Sequence, residues 1–201
     1  MSDITSEDLA NIYAKPAPRV IAKARPEIDR HARRFIEMSP FCVLATSGSD
    51  CSVDASPRGG HPGFVRVKGP NLLLMPDRPG NNRIDSFKNI VEGPGLLQII
   101  FFVPGLNETL RVGGTGTLTT EPALLAEMKE FGKLPRAVLR IDAHEAYFHC
   151  GKALMRSKLW SSDAQVARTA FPSISEVIHD QTNLGAAETQ EEVEARYETQ
   201  L

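Results

Sequence analysis

Four arginine-bearing segments hold most of the chemistry this sequence offers: SPRGG (56–60), PDRPGNNR (76–83), TLRVGG (109–114) and GKALMRSKLW (151–160). Three of them place fixed positive charge in or beside glycines or asparagines of a turn, and the fourth opens on a glycine. A phosphate is held by convergent backbone N–H groups and by the planar donor fork of a guanidinium. Glycine permits the first and arginine supplies the second. In PDRPGNNR the loop runs into a helical pattern, with Asn81 or Asn82 placed to cap it and Arg83 in its first turn. An arginine there opposes the helix dipole unless an anion neutralises it, which favours an anion site. Any one segment alone reads as an ordinary surface turn; the recurrence points to a ligand.

Other reactive residues carry less. His61, in a Gly-Gly-His-Pro-Gly turn, and His149 are the histidines placed to donate a proton near a bound ring. A solvated turn residue and a packed or interfacial residue are the simpler readings. Cys150 reads as a small packed side chain rather than a redox thiol. Trp160, the single tryptophan, reads as an interface anchor. Glu127, Glu130, Glu191, Glu192 and Glu194 read as solvated helix faces. GGTG (113–116) is no dinucleotide fingerprint, because it sits inside a strand-like run without the spacing that opens a helix. A bulge or a close backbone approach explains it better.

The chain has 201 residues, 41% hydrophobic and 24% charged, which suits one domain with terminal extensions. A formal charge of -2 offers no global reason to expect nucleic acid or membrane, so an anion site must be a local cluster of cations. Cys42, Cys51 and Cys150 are odd in number and form no CxxC pair, so neither a disulfide framework nor a metal site is expected. The opening MSDITSEDLA is acidic where a secretory signal would be basic, and the longest apolar run, residues 96–104, is interrupted by Gln98. A reducing, cytoplasmic setting is the expectation.

The elements that must position the arginines are mostly strands. Runs at 41–47, 63–69, 71–76, 95–103, 108–119 and 136–150 are β-rich and are separated by turn clusters such as SGSD, KGPN and PGLN. Such spacing predicts an antiparallel sheet or barrel rather than βαβ repeats. Helices are expected at 6–15 with Ser6 as cap, at 29–38 after Pro26, at 82–89, 122–131 and about 151–158, and in the tail at 174–180 and 187–199. The run 96–103 is apolar on both faces, one for a barrel interior and the other for a helix or a second subunit.

Taken in order, SPRGG, GFVRV (63–67), PDRPGNNRIDSFKNI (76–90), ETLRVGGTG (108–116) and HCGKALMRSKLW (149–160) resemble the flavin-binding proteins related to pyridoxamine 5′-phosphate oxidase, over about residues 35–162. The resemblance implies a mainly β fold, a six-stranded antiparallel Greek-key split barrel with flanking helices. It spans 39–162 here, with a helical N-terminal extension (1–38) packed on the barrel and a helical C-terminal tail (163–201). It also implies a homodimer with flavin mononucleotide (FMN) in the cleft between subunits, and small-molecule rather than nucleic-acid or membrane partners. Arg58 and Gly59 would lie along the flavin, and Met75 and Pro76 beneath its ring. The phosphate stretch of the oxidase matches Gly80, Asn81, Asn82 and Arg83; its arginine has become Asn82 and its lysine Arg83, with Arg78 able to supply the missing charge. The ring-contacting glutamine falls near Thr109, shifting that role to Arg111. Lys152, Arg156 and Trp160 would reach the flavin from the other subunit. The Arg-Leu-His motif by which the oxidase binds its substrate is missing, which points away from vitamin B6 oxidation and leaves the catalytic residues unassigned. A flavin-dependent oxidoreductase is expected; the rival readings are a non-catalytic flavin carrier or sensor, and a groove for haem or a deazaflavin with His61 as the tempting axial ligand.

Overall fold

A computed structural model describes residues 3–200; residues 1, 2 and 201, the ends of the two expected extensions, lie outside the described residues. Seven strands form one antiparallel sheet: β1 (Phe41–Ser47), β2 (Val53–Gly59), β3 (Arg66–Val67), β4 (Leu72–Pro76), β5 (Leu96–Phe102), β6 (Thr109–Thr119) and β7 (Val138–His149). Their order is β2-β1-β5-β6-β7-β4-β3, so β5, β6 and β7 form a meander while β1 and β4 join it by long connections. The architecture is the expected mainly β split barrel, with two corrections. The 63–69 run contributes only Arg66–Val67, and Val53–Gly59, absent from the β-rich runs, is a full strand. VDASPRG has a single β-branched residue and no large apolar one after it, and Pro57 within it suits only a sheet edge, where β2 lies.

Alternation fills the interior. Cys42, Leu44, Ile99, Phe101, Leu110, Val112, Leu139 and Ile141 are buried in one cluster with Phe35 and Ile36 of helix α3 (Arg30–Met38), whose first turn is capped by Asp29. The run 96–103 fills the interior with one of its two faces, as expected. Leu97, Ile99 and Phe101 point inward, whereas Leu96 and Gln98 are exposed and Ile100 and Phe102 only half-buried, so within one chain a single face is covered. Two smaller helices flank the sheet: α4 (Asp85–Glu92), against β1, β2 and β6, and α5 (Pro122–Glu127), shorter than its apolar pattern suggests. The N-terminal helices are α1 (Ser6–Ile12), capped by Thr5 rather than Ser6, and α2 (Pro18–Ala22). After α6 (Lys152–Ser157) the chain ends in α7 (Ile174–Thr182) and α8 (Gln190–Glu198). Among the described residues no helix is long and apolar enough to cross a membrane.

The GGTG segment is a bulge. Pairing between β6 and β7 shifts register between Gly113 and Gly114. A Cβ at Gly114 would stand 2.1 Å from the Asp142 carbonyl oxygen, backbone that cannot yield. Gly114→Ala is therefore expected to destabilise the protein by about 2–4 kcal/mol in denaturant titration, while Gly69→Ala, with nothing near its added methyl, stays within about 0.5 kcal/mol. Burial pushes the Cys42 thiol up to about 12, against the opposing charge of Arg58. Cys42 should accordingly resist a thiol reagent at about pH 8 until the protein is unfolded.

Candidate functional site

A cleft of about 1400 Å³ opens beside the β2 edge and the loop that leads from β4 into α4. The strand pairings explain why arginines from distant segments meet there. Pairing of β4 with β7 sets Pro76 opposite Val138, and the same alternation carried past the strand ends brings Arg136 towards Arg78; the Asp77 N–H donates to the Ala137 carbonyl at 2.9 Å. The β1–β2 hairpin brings in Arg58 from the edge, and α4 is held against β2 by its Ser86. Of the residues expected at a cofactor site, Arg58, Gly59, Pro76, Arg78, Asn81, Asn82 and Arg83 line this cleft. Met75 does not: its side chain is buried in the interior cluster, leaving only backbone to meet a ligand.

The guanidiniums are unequally neutralised. Arg78 is half-buried and donates to Glu130 Oε2 at 2.7 Å and to the Met128 carbonyl at 3.0 Å. Glu130 is therefore not a solvated helix-face residue; its carboxylate also accepts from the His61 backbone N–H at 2.8 Å. Arg83 is exposed and paired with Asp85 at 2.8 Å, an interaction of modest worth at such exposure. Arg83 also falls before the helix. Residue Ile84, in left-handed conformation with φ of 49°, occupies the N-cap, and neither Asn81 nor Asn82 caps α4. Asn81 instead accepts from the Arg83 N–H at 3.1 Å and Asn82 from Arg136 at 2.8 Å. The expected conflict between Arg83 and the helix dipole is thus absent, because Asp85 occupies the first turn and answers both.

Arg58 is different. Its guanidinium lies 5.2 Å from the Phe87 ring and reaches the Ser86 hydroxyl at 3.3 Å, and it makes no ion pair among the described residues. Ser86 is buried, and its hydroxyl also contacts Ser56 at 2.9 Å and the Asp54 carboxylate. The Nε atoms of Arg58 and Arg78 are buried without a hydrogen-bond partner. A buried donor left unmade costs about 1–3 kcal/mol, so both side chains are held in place with part of their hydrogen-bonding capacity unused. Arg136 was not singled out in the sequence, where it reads as the first residue of a β-run.

Other expected residues stand elsewhere in the chain. Thr109, Arg111, Lys152, Arg156 and Trp160 do not line this cleft. Thr109 is buried opposite His149, and Arg111 pairs with Glu145 at 3.0 Å while lying 4.6 Å from the Tyr147 ring. The Arg111 Nε and His149 Nε2 atoms are also buried and unpartnered. Burial, then the charges of Arg111 and Lys23, hold the His149 imidazole below its ordinary value, favouring the neutral ring. Lys152 and Arg156 are exposed on α6, and Trp160 donates to the Leu106 carbonyl at 2.7 Å. His61 is exposed with its ring 4.4 Å from that of Phe131, outside the cleft lining.

Comparison with known proteins now decides the family. The model of the family described as pyridoxamine 5′-phosphate oxidase matches residues 28–150, more than half of the chain. The chain belongs to the pyridoxamine 5′-phosphate oxidase family. No curated protein matches it. Among solved structures, HupZ of Group A Streptococcus is 20% identical with a TM-score of 0.47, covering 59% of this chain and 91% of its own. A candidate pyridoxamine 5′-phosphate oxidase of Lactobacillus delbrueckii is 16% identical with a TM-score of 0.48, covering 61% and 95% respectively. An FMN-binding protein of Syntrophomonas wolfei is 11% identical with a TM-score of 0.46, covering 59% and 84%. In this pyridoxamine 5′-phosphate oxidase family member, α7 and α8 lie beyond the matched residues, yet they line the cleft.

Asp77 reports the field inside the cleft. Burial raises its carboxyl above the usual aspartate range, and the charges of Arg58, Arg136 and Arg78 oppose that rise. A raised carboxyl pKa means that the native state holds its proton to higher pH than the unfolded chain does. The resulting loss of stability is absent below the unfolded pKa of about 4 and grows as pH rises through the folded one. Asp77→Asn should raise the melting temperature at neutral pH and leave it nearly unchanged at about pH 3.5.

Proposed function

We propose that the chain binds flavin mononucleotide in this cleft, with its phosphate on Arg58 and Arg136 and with Arg78 beside them, and that it is a flavin-dependent oxidoreductase acting on a small molecule. The observation that carries the reading is Arg58: half-buried, lining the cleft and in no ion pair among the described residues. A dianionic phosphate supplies the acceptor and the charge that its guanidinium lacks. Membership of the family, which covers β1 to β7, supports a flavin as the anion. Pro57 and Ile84, both exposed, give the same cleft apolar surface for a ring. The bound flavin would supply hydride or electron transfer, while the chain would orient it, hold its phosphate and stabilise anionic charge.

The functional unit in this reading is a homodimer in the cytoplasm. Its support is the outer face of the sheet, where Leu96 is exposed, Ile100 and Phe102 are only half-buried, and Phe41 pairs with Phe102 at 6.0 Å between ring centres. That face also carries Arg111, the cross-strand neighbour of Ile100. A second copy would bring the Arg111 and α6 residues of one chain towards the cleft of the other.

The purified protein should show a flavin spectrum and release FMN on denaturation, identified by mass spectrometry. Arg58→Ala should weaken FMN affinity by roughly 10- to 100-fold, whereas Arg83→Ala, whose charge Asp85 already neutralises, should weaken it by no more than about threefold. Equal effects, or none, would overturn the phosphate assignment. Reduction of the bound flavin by NADH or NADPH supports an enzyme; flavin that neither donor reduces supports a carrier or sensor. Light scattering should give twice the 22.0 kDa chain mass, and Ile100→Asp should shift the particle towards monomer.

A further inference from the structure

We infer that Ser86 is a positioning residue: its hydroxyl stands between Arg58 and Asp54 and so keeps the Arg58 charge free for an anion in the cleft. The inference rests on the flavin reading, whose phosphate is that anion, and adds the group that keeps its cation available.

Strand geometry sets up the conflict. Residues of β2 alternate, with Asp54, Ser56 and Arg58 half-buried and Val53, Ala55, Pro57 and Gly59 exposed. Carboxylate and guanidinium thus share one face of an edge strand, about 13 Å apart at the backbone, and both line the cleft. An arginine with such a carboxylate in reach ordinarily closes on it as a direct ion pair. Arg83, another guanidinium in the field of Asp54, is already paired with Asp85 at 2.8 Å. Yet Arg58 pairs neither with Asp54 nor with Asp77, whose charge it also feels.

The bonding capacity of one hydroxyl accounts for this. Ser86, in the first turn of α4, is buried against β2. A hydroxyl has one proton and two lone pairs. Ser86 donates its proton to the Asp54 carboxylate and accepts from Arg58 at 3.3 Å. With that proton committed, Ser56 is the donor of the 2.9 Å contact between the two serines, and the hydroxyl is saturated. Asp54 is therefore satisfied by a neutral group, and Arg58 is oriented by a hydroxyl and by the Phe87 ring at 5.2 Å rather than by an opposite charge. Alanine at 86 leaves the carboxylate without its donor and with Arg58 on the same strand face to answer it. The pair then closes, and the cleft loses a positive charge.

FMN and riboflavin differ by the phosphate alone, so the ratio of their affinities reads charge at the site rather than the integrity of the cleft. Both are titrated into the full-length protein by flavin fluorescence. Ser86→Ala should weaken FMN about tenfold and riboflavin by no more than about twofold. Asp54→Asn removes a negative charge from the cleft and should tighten FMN by about two- to fivefold. The double variant Asp54→Asn with Ser86→Ala should return to within about threefold of Asp54→Asn, a rescue that a residue serving only to pack α4 on β2 would not show. Unchanged FMN affinity in Ser86→Ala, equal losses for the two flavins, or a double variant as weak as Ser86→Ala would each overturn the inference. If Ser86→Ala does not fold, the double variant against Asp54→Asn decides: recovery supports the role and loss overturns it. If the parent protein binds neither flavin, the flavin reading fails by itself. A crystal structure of Ser86→Ala then tests the positioning role, which a direct Arg58–Asp54 ion pair supports and side chains left apart overturn.

Discussion

The cleft depends on one half-buried carboxylate. Glu130 receives the guanidinium of Arg78 from the β4–α4 loop and the backbone N–H of His61 from the β2–β3 connection, so three stretches far apart in the chain are tied to one side chain. A pair this sheltered is not a surface ornament. Removing either partner strands the other charge away from water, which is why such pairs are strongly destabilising when broken even where the intact pair adds little. Arg78 meanwhile keeps an unpartnered Nε, so the ion pair orients the guanidinium without satisfying it.

Charge balance then sorts the other arginines. Arg83 and Arg196 each face a carboxylate at 2.8 Å, and little of their field remains for a ligand. Arg58 and Arg136 have amide, hydroxyl and aromatic neighbours instead, which fix their direction; the Asp77 carboxylate lies within their field but pairs with neither. At half-buried Asp77, burial raises the carboxyl against the pull of three nearby guanidiniums. Position within the fold, more than residue type, separates a binding arginine from a solvated one.

The barrel presents a second polar face on β6 and β7, where Arg111, Tyr147 and His149 stack on one another and Lys23 reaches in from the N-terminal arm to donate to the Phe148 carbonyl at 2.7 Å. Within one chain this face is separate from the cleft. Its unpartnered Arg111 and His149 nitrogens repeat the signature seen at Arg58 and Arg78.

The strands at 41–47, 72–76, 96–102, 109–119 and 138–149 were legible from local pattern alone, because side-chain alternation and turn residues act over a few positions. The same holds for the GGTG bulge and for the existence of most of the helices, whose ends shifted by up to three or four residues. Motif order carried the family and pointed to Arg58, Arg78 and Arg83. Strand Val53–Gly59 was not legible from local pattern, because an edge strand need bury little, and only the family resemblance put SPRG on a strand. Arg136, the role of Glu130, the burial of Met75 and the wall formed by α7 and α8 were decided by the tertiary structure alone. Each depends on which distant segments lie side by side, and register between strands set by the packing of a whole core leaves no trace at any single position in the chain.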